Sequence, residues 1–235
     1  MYKAIYLAKR NPAISAADFP ARWRAHSALA ANQRNRRTYF TGVTQCCRLL
    51  DADFLAEATS EYDAVNLLNL TDLGAADEIW EEPGTRNVMQ ADELLTFSRP
   101  VIECWMTTEA SVVRAGPITH FPIIRFLKRA SGIELSQFLH HWTVVHALLE
   151  IEASGGEAVR RYVQNRVIHA PTDFPFDLIT ETWFATRETM QRYCADRERL
   201  KHIRADMDRW CHATACVTMM ANVTYSRPAL EPIHG

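Results

Sequence analysis

The sequence predicts an α+β protein made of two similar halves, each running β-α-β-β-α-β. Three observations carry that prediction: a repeat at constant offset, short strand-like apolar runs at matching places, and a Gly-Pro break between the halves. Lys9-Arg10 recurs as Lys128-Arg129, an offset of 119, and the same offset carries Phe19 onto Phe138 and Trp23 onto Trp142. Self-similarity at that spacing decides the architecture before any single element does.

The elements follow in order. Ala4-Ile5-Tyr6-Leu7 and Pro122-Ile123-Ile124-Arg125-Phe126-Leu127 suit strands. Ser15, with Asp18 three residues on, is a capping-box start for a first helix. Its counterpart begins around Gly132 to Glu134. Phe138, Trp142, Val145 and Leu149 lie on one face of that second helix, and Phe19, Trp23, His26 and Ala30 on the matching face of the first. Arg37-Thr38-Tyr39-Phe40 and Arg160-Arg161-Tyr162-Val163 open the second strands, which puts Tyr39 and Tyr162 at equivalent places. Third strands are expected over 63–70 and 177–184. Helical segments follow near 72–80 and 88–97 in one half, and near 187–193 and 198–211 in the other. Each half closes on a β-rich run, 101–106 and 216–223.

This order is the split βαβ, ferredoxin-like arrangement. The expected division is a first module over 1–110, a linker through Gly116-Pro117, a second module over 117–226 and a loose tail over 227–235. A sheet with both helices on one side leaves its other face bare. Two such sheets packed together would enclose a barrel-like interior within one chain. A homodimer of such chains is compatible with this.

Composition narrows the function classes. Hydrophobic residues make up 48% of 235, enough for a sizeable core, and the length allows one large domain or two of about 110 to 120 residues. A net charge of −2 without runs of like charge argues against nucleic acid and anionic membranes as partners. The apolar start Ala4 to Ala8 is too short for a signal peptide, and no run approaches the roughly 18 residues of a membrane span. A cytoplasmic protein is expected. The six cysteines lack a C-x-x-C and read as free thiols. Neither a Gly-rich phosphate loop nor a G-x-S-x-G elbow occurs.

The run Lys128-Arg129, then Phe138-Leu139-His140-His141-Trp142-Thr143-Val144-Val145-His146-Ala147, resembles the EthD family. Arg161-Tyr162-Val163-Gln164-Asn165 and the strand Asp177 to Phe184 extend the likeness. The resemblance covers most of 119–223 and, more weakly, 2–108. It implies a pseudo-symmetric dimeric α/β barrel with a cavity between sheet and helices. Its relatives range over ether degradation, polyketide-type cyclases and dehydratases, and haem-handling enzymes, so the fold does not name the function. The first half departs from the motif: His26 comes three residues after Trp23, whereas His146 comes four after Trp142, and Glu181 and Trp183 become Leu67 and Asn69. The second half is therefore the expected working half.

His146, beside Trp142 at i, i+4, has the chemistry of a general acid or base. The plainer reading is a helix histidine satisfied by its neighbours. Arg125 and Glu181 are lone charges in apolar strands, expected to pair, unless Glu181 instead lies by His146 and orients its ring. Tyr162 or Tyr39 would offer a hydroxyl to a substrate oxygen. The expected catalytic group is His146, Glu181 and Tyr162, with Trp142, Arg125, Trp183, His26 and Tyr39 lining the pocket. No metal and no cofactor are expected, because His140, His141 and His146 are spaced poorly for one ion. These residues suit a cofactor-independent lyase or isomerase acting on a small apolar or aromatic molecule. A non-catalytic binding or oxygenase-accessory protein is the alternative.

Overall fold

The computed structural model describes residues 1–31, 39–51, 54–152, 158–212 and 214–227. The expected strand positions Arg37 and Thr38, and the tail beyond Arg227, lie outside these residues. In the first half the elements are β1 (Tyr2–Ala8), α1 (Phe19–Ala31), β2 (Phe40–Arg48), β3 (Ala64–Leu70), α2 (Ala75–Glu81), α3 (Gln90–Thr96) and β4 (Trp105–Arg114). In the second they are β5 (Phe121–Leu127), α4 (Leu135–His141), α5 (Ala147–Glu152), β6 (Val159–His169), β7 (Leu178–Phe184), α6 (Arg187–Ala195), α7 (Arg197–Trp210) and β8 (Val217–Arg227). Ser15 acts as expected: its hydroxyl accepts the Asp18 N–H at 3.1 Å, just before α1.

The strands form a closed antiparallel barrel in the order β1-β3-β2-β8-β5-β7-β6-β4. Closure removes every sheet edge. It depends on the strands at the two seams being long. β4 has 10 residues, β6 and β8 have 11 each, and β1, β3, β5 and β7 have 7. At one seam β2 pairs β8 from Val43↔Arg227 to Arg48↔Ala221; at the other β4 pairs β6 from Thr107↔His169 to Arg114↔Tyr162. The sheets thus join edge to edge as well as enclosing an interior. Two expectations are corrected here. The run 101–106 opens as a 3-10 turn, Val101–Cys104, after Pro100, and becomes strand only at Trp105. The strand then continues to Arg114, through most of the stretch expected as linker, because those residues bond to β6.

Strand faces can be assigned from one ion pair. Lys3 on β1 binds Glu181 on β7, and these strands are not neighbours, so the contact crosses the lumen. Alternation then points Ile179 and Trp183 inward and Thr180, Thr182 and Phe184 outward, under the helices. Phe184 meets Tyr193 of α6 at 4.7 Å, as an outward residue should. Asn165 Nδ2 at 2.9 Å and Trp183 Nε1 at 3.1 Å complete the hydrogen bonding of the Glu181 carboxylate. A carboxylate this buried persists only when it is paired and bonded.

A π-helical turn, Trp142–His146, separates α4 from α5. It inserts one residue into the helix and rotates everything after it. Val145, expected on the buried face, is therefore 46% exposed, while His146 and Glu150 are each 1% exposed.

Candidate functional site

In the second half, the space between the outer sheet face and the helices holds a chain of charges. Arg125 Nη1 donates to Glu150 Oε1 at 2.9 Å, and Tyr193 donates its hydroxyl proton to Glu150 Oε2. His146 Nε2 lies 3.4 Å from Glu150 and its Nδ1 lies 2.7 Å from Asp206 Oδ2, to which His141 also bonds at 2.8 Å. Burial opposes the His146 charge, but the hydrogen bonds the ring donates to Asp206 and Glu150 outweigh it and hold the imidazole above its ordinary value. Burial likewise opposes the Glu150 charge, yet Arg125 and His146 hold that carboxyl down to about 2. Trp142 covers the His146 ring, stacked at 4.0 Å between centroids. An imidazole covered in this way, with a carboxylate at each nitrogen, is held toward its cationic form.

Of the residues expected to form the site, His146, Trp142, Arg125 and Tyr162 do meet here. Glu181 and Trp183 do not, because they face the lumen. The expected Arg125–Glu181 pair is corrected for the same reason: Arg125 stands opposite Thr180, whereas Glu181 stands opposite Ile124. Glu150 and Asp206 take the roles that sequence offered to Glu181. Tyr162 is fully buried, and burial pushes its phenol upward. Tyr39, half-buried, precedes β2 and accepts the Thr71 N–H at 3.0 Å.

The first half repeats the frame with different contents. His26 Nδ1 lies 2.8 Å from Asp92 Oδ2, and Arg22 Nη2 donates to Asp92 Oδ1 at 2.5 Å. Burial raises the Asp92 carboxyl, but Arg22 and His26 bring it below its ordinary value. A cavity of about 100 Å³ opens beside this pair, with Tyr6, His26, Ala30, Asn66, Thr85 and Trp105 in its wall.

Strand register makes the two halves comparable position by position. Phe40↔Leu70 matches Val159↔Phe184, and the same bulge follows each, between Phe40 and Gly42 and between Val159 and Arg161. The offset of 119 therefore persists through β2 and β6, and it places Val43 opposite Tyr162 in the comparison. This corrects the expected equivalence of Tyr39 with Tyr162. In α1 the π-turn of the other half supplies one extra residue, so His26 matches His146 and Ala30 matches Glu150. From β3 onward the offset is 114 (Leu70 to Phe184), which matches Asp92 with Asp206, Ile79 with Tyr193 and Thr85 with Arg199. The spacing of His26 after Trp23 is thus no departure in space. The π-turn absorbs the difference, and each histidine reaches an aspartate on a later helix. The aspartates carry no motif; only the offset of 114, visible once β3 and β7 are aligned, marks them.

Among the described residues no group of three or more His, Cys, Asp and Glu is placed to hold a metal ion, and no helix is long and apolar enough to cross a membrane.

Residues 130–214 match the EthD domain family. No curated protein sequence matches the chain. Among solved structures, an anthrone oxidase-like protein superposes with a TM-score of 0.64 at 8% identity, over 96% of this chain and 92% of that one. A candidate monooxygenase from Fusobacterium nucleatum gives 0.61 at 7% identity, over 96% and 93%. A dye-decolorizing peroxidase from Bacteroides thetaiotaomicron gives 0.55 at 9% identity, over 95% and 93%. At these identities the likeness bears on the fold, which is that of the dimeric α/β barrels.

Proposed function

Starting from a chain whose residues 130–214 match the EthD domain family, in a dimeric α/β-barrel fold, we propose that it binds a small, largely apolar molecule in the first-half cavity and moves a proton on it through His26. The observation that carries this reading is the His26–Asp92 pair at 2.8 Å in the cavity wall. An aspartate on Nδ1 fixes the tautomer and orientation of the ring and steadies the imidazolium that forms when it takes a proton. His146 has the same aspartate, but the buried side chains of Arg125, Glu150, Tyr162 and Tyr193 fill the space around it, which favours a structural role for it. Catalysis thus moves from the half with the better-preserved motif to the half with the open space. The repeated register and bulge support reading 1–110 and 117–226 as two copies of one ferredoxin-like module.

Three neighbours carry the names of oxidising enzymes. At 7–9% identity those names do not transfer, so the proposal is limited to proton transfer. A non-catalytic binding protein would need the cavity but not the dyad.

The test is deuterium exchange at an acidic C–H of added carbonyl compounds, followed by NMR, for the wild type, His26→Ala and His146→Gln. Exchange that survives His146→Gln and falls by about 10²-fold or more in His26→Ala supports the assignment. Equal loss in both, or loss in His146→Gln alone, overturns it. Binding without exchange in any variant favours the binding protein.

A further inference from the structure

We infer that the first-half cavity is shaped for a single aromatic ring carrying both a hydroxyl and a hydrogen-bond-accepting oxygen, a hydroxylated aromatic carbonyl in the simplest case. The inference rests on the reading that this cavity is the working pocket. It follows from three properties of the wall.

The first is size. An enclosed apolar cavity of roughly 150 Å³ accommodates benzene. The space here, about 100 Å³, is of the same order and suits one ring better than two.

The second is the shape and polarity of the lining. Trp105 lies against Tyr6 in a near-parallel arrangement, 6.4 Å between centroids and 19° between planes. Trp80 meets Trp105 edge to face at 5.0 Å, and Phe40 approaches it at 6.4 Å. Aromatic faces and edges set in this way favour a flat π-system over an aliphatic ring of the same volume.

The third property selects the substituents. Asn66 Oδ1, Thr85 Oγ1 and Trp105 Nε1 are buried side-chain atoms with no hydrogen-bond partner, and all three residues line this cavity. Their exposures, 5%, 2% and 7%, leave bulk water little access. A buried polar atom left unbonded costs about 1–3 kcal/mol. All three residues line the one space, so an occupant that reaches these atoms satisfies them. Asn66 Nδ2 already donates to the Tyr6 hydroxyl at 2.9 Å, which leaves Oδ1 as a pure acceptor. Trp105 Nε1 is a pure donor, and the Thr85 hydroxyl serves either way. The complement is one donating group and at least one accepting oxygen, spaced across a ring. A simple hydrocarbon satisfies none of these atoms, and an ordered water in place of a ligand is the competing occupant.

Isothermal titration calorimetry on the full chain tests this with four probes: 4-hydroxybenzaldehyde, benzaldehyde, cyclohexanecarbaldehyde and a hydroxynaphthaldehyde. The inference predicts that 4-hydroxybenzaldehyde binds at least about tenfold more tightly than each of the others, since a site built to hydrogen-bond a hydroxyl rejects the analogue lacking it. In Asn66→Leu its advantage over benzaldehyde should vanish while benzaldehyde binding persists. If Asn66→Leu does not fold, Thr85→Val serves, and a reduced affinity for 4-hydroxybenzaldehyde is the supporting result. Equal binding of benzaldehyde, or tighter binding of the two-ring compound, overturns the ligand class while leaving the cavity as a binding site. If no probe binds and none perturbs the exchange reaction, water is the occupant, and both this inference and the proposed function fall.

Discussion

The two halves share one frame and differ in what stands between sheet and helices. In the first half the positions read Ala30, Val43, Ile79 and Thr85, and a cavity results. At the matching positions the second half has Glu150, Tyr162, Tyr193 and Arg199, all buried. Tyr6 and Arg125 complete the contrast. Arg125 and Tyr193 both donate to Glu150, so the larger side chains do more than occupy volume; they lock the helices to the sheet. The His–Asp pair survives in both halves, as His26–Asp92 and His146–Asp206. A catalytic-looking pair is therefore no evidence of a site by itself. What differs is whether its neighbours leave room for a substrate.

The sharpest way to break this comparison is to disturb the filled half and watch the open one. Arg125→Leu removes the cation beside the buried Glu150, and stripping one partner from a buried pair costs about 3–5 kcal/mol. Urea denaturation should show a loss of that size, while the cavity keeps its ligand affinity under native conditions. Next comes His26→Ala, which leaves Asp92 with its Arg22 partner. Stability should fall by about 1–2 kcal/mol, and proton exchange by about 10²-fold.

The third prediction concerns pH. The folded state holds His146 above its ordinary value, so its contribution is complete below about pH 6.5 and disappears as the pH rises through the elevated value. Glu150, held down to about 2, contributes above its ordinary range and loses that contribution as the pH falls toward 2. Denaturation midpoints should therefore peak in weak acid and decline on the alkaline side. His146→Gln should flatten the alkaline decline and leave the acid limb. The smallest effect is expected from Ala30→Leu, which fills empty space: stability should change by less than about 1 kcal/mol while ligand binding is lost.

Much of the frame is legible in the sequence. Lys9-Arg10 and Lys128-Arg129, Phe19 and Phe138, and Trp23 and Trp142 share one offset, and the eight strands and their helices are laid out where the apolar runs placed them. The EthD-like motif correctly marks the second half as family-like. The location of the pocket is less legible. Motif preservation favours His146, but a cavity arises from residues that are small, and Ala30, Val43 and Thr85 form no motif. The π-turn was hidden too, since Trp142–His146 is compatible with an ordinary helix until tertiary packing chooses the phase. Glu181 misled for a similar reason. Alternation fixes which residues share a face, but only the barrel closure decides which face is the lumen.

The most direct test of the central claim, that the first half holds the open site and the second a filled one, is an NMR titration of the tryptophan side-chain N–H signals with 4-hydroxybenzaldehyde. The account predicts that Trp105 Nε1–H moves most, with Trp80 following, while Trp142 and Trp183 stay in place. Movement of Trp142 with Trp105 unperturbed would place the ligand in the second half and contradict it.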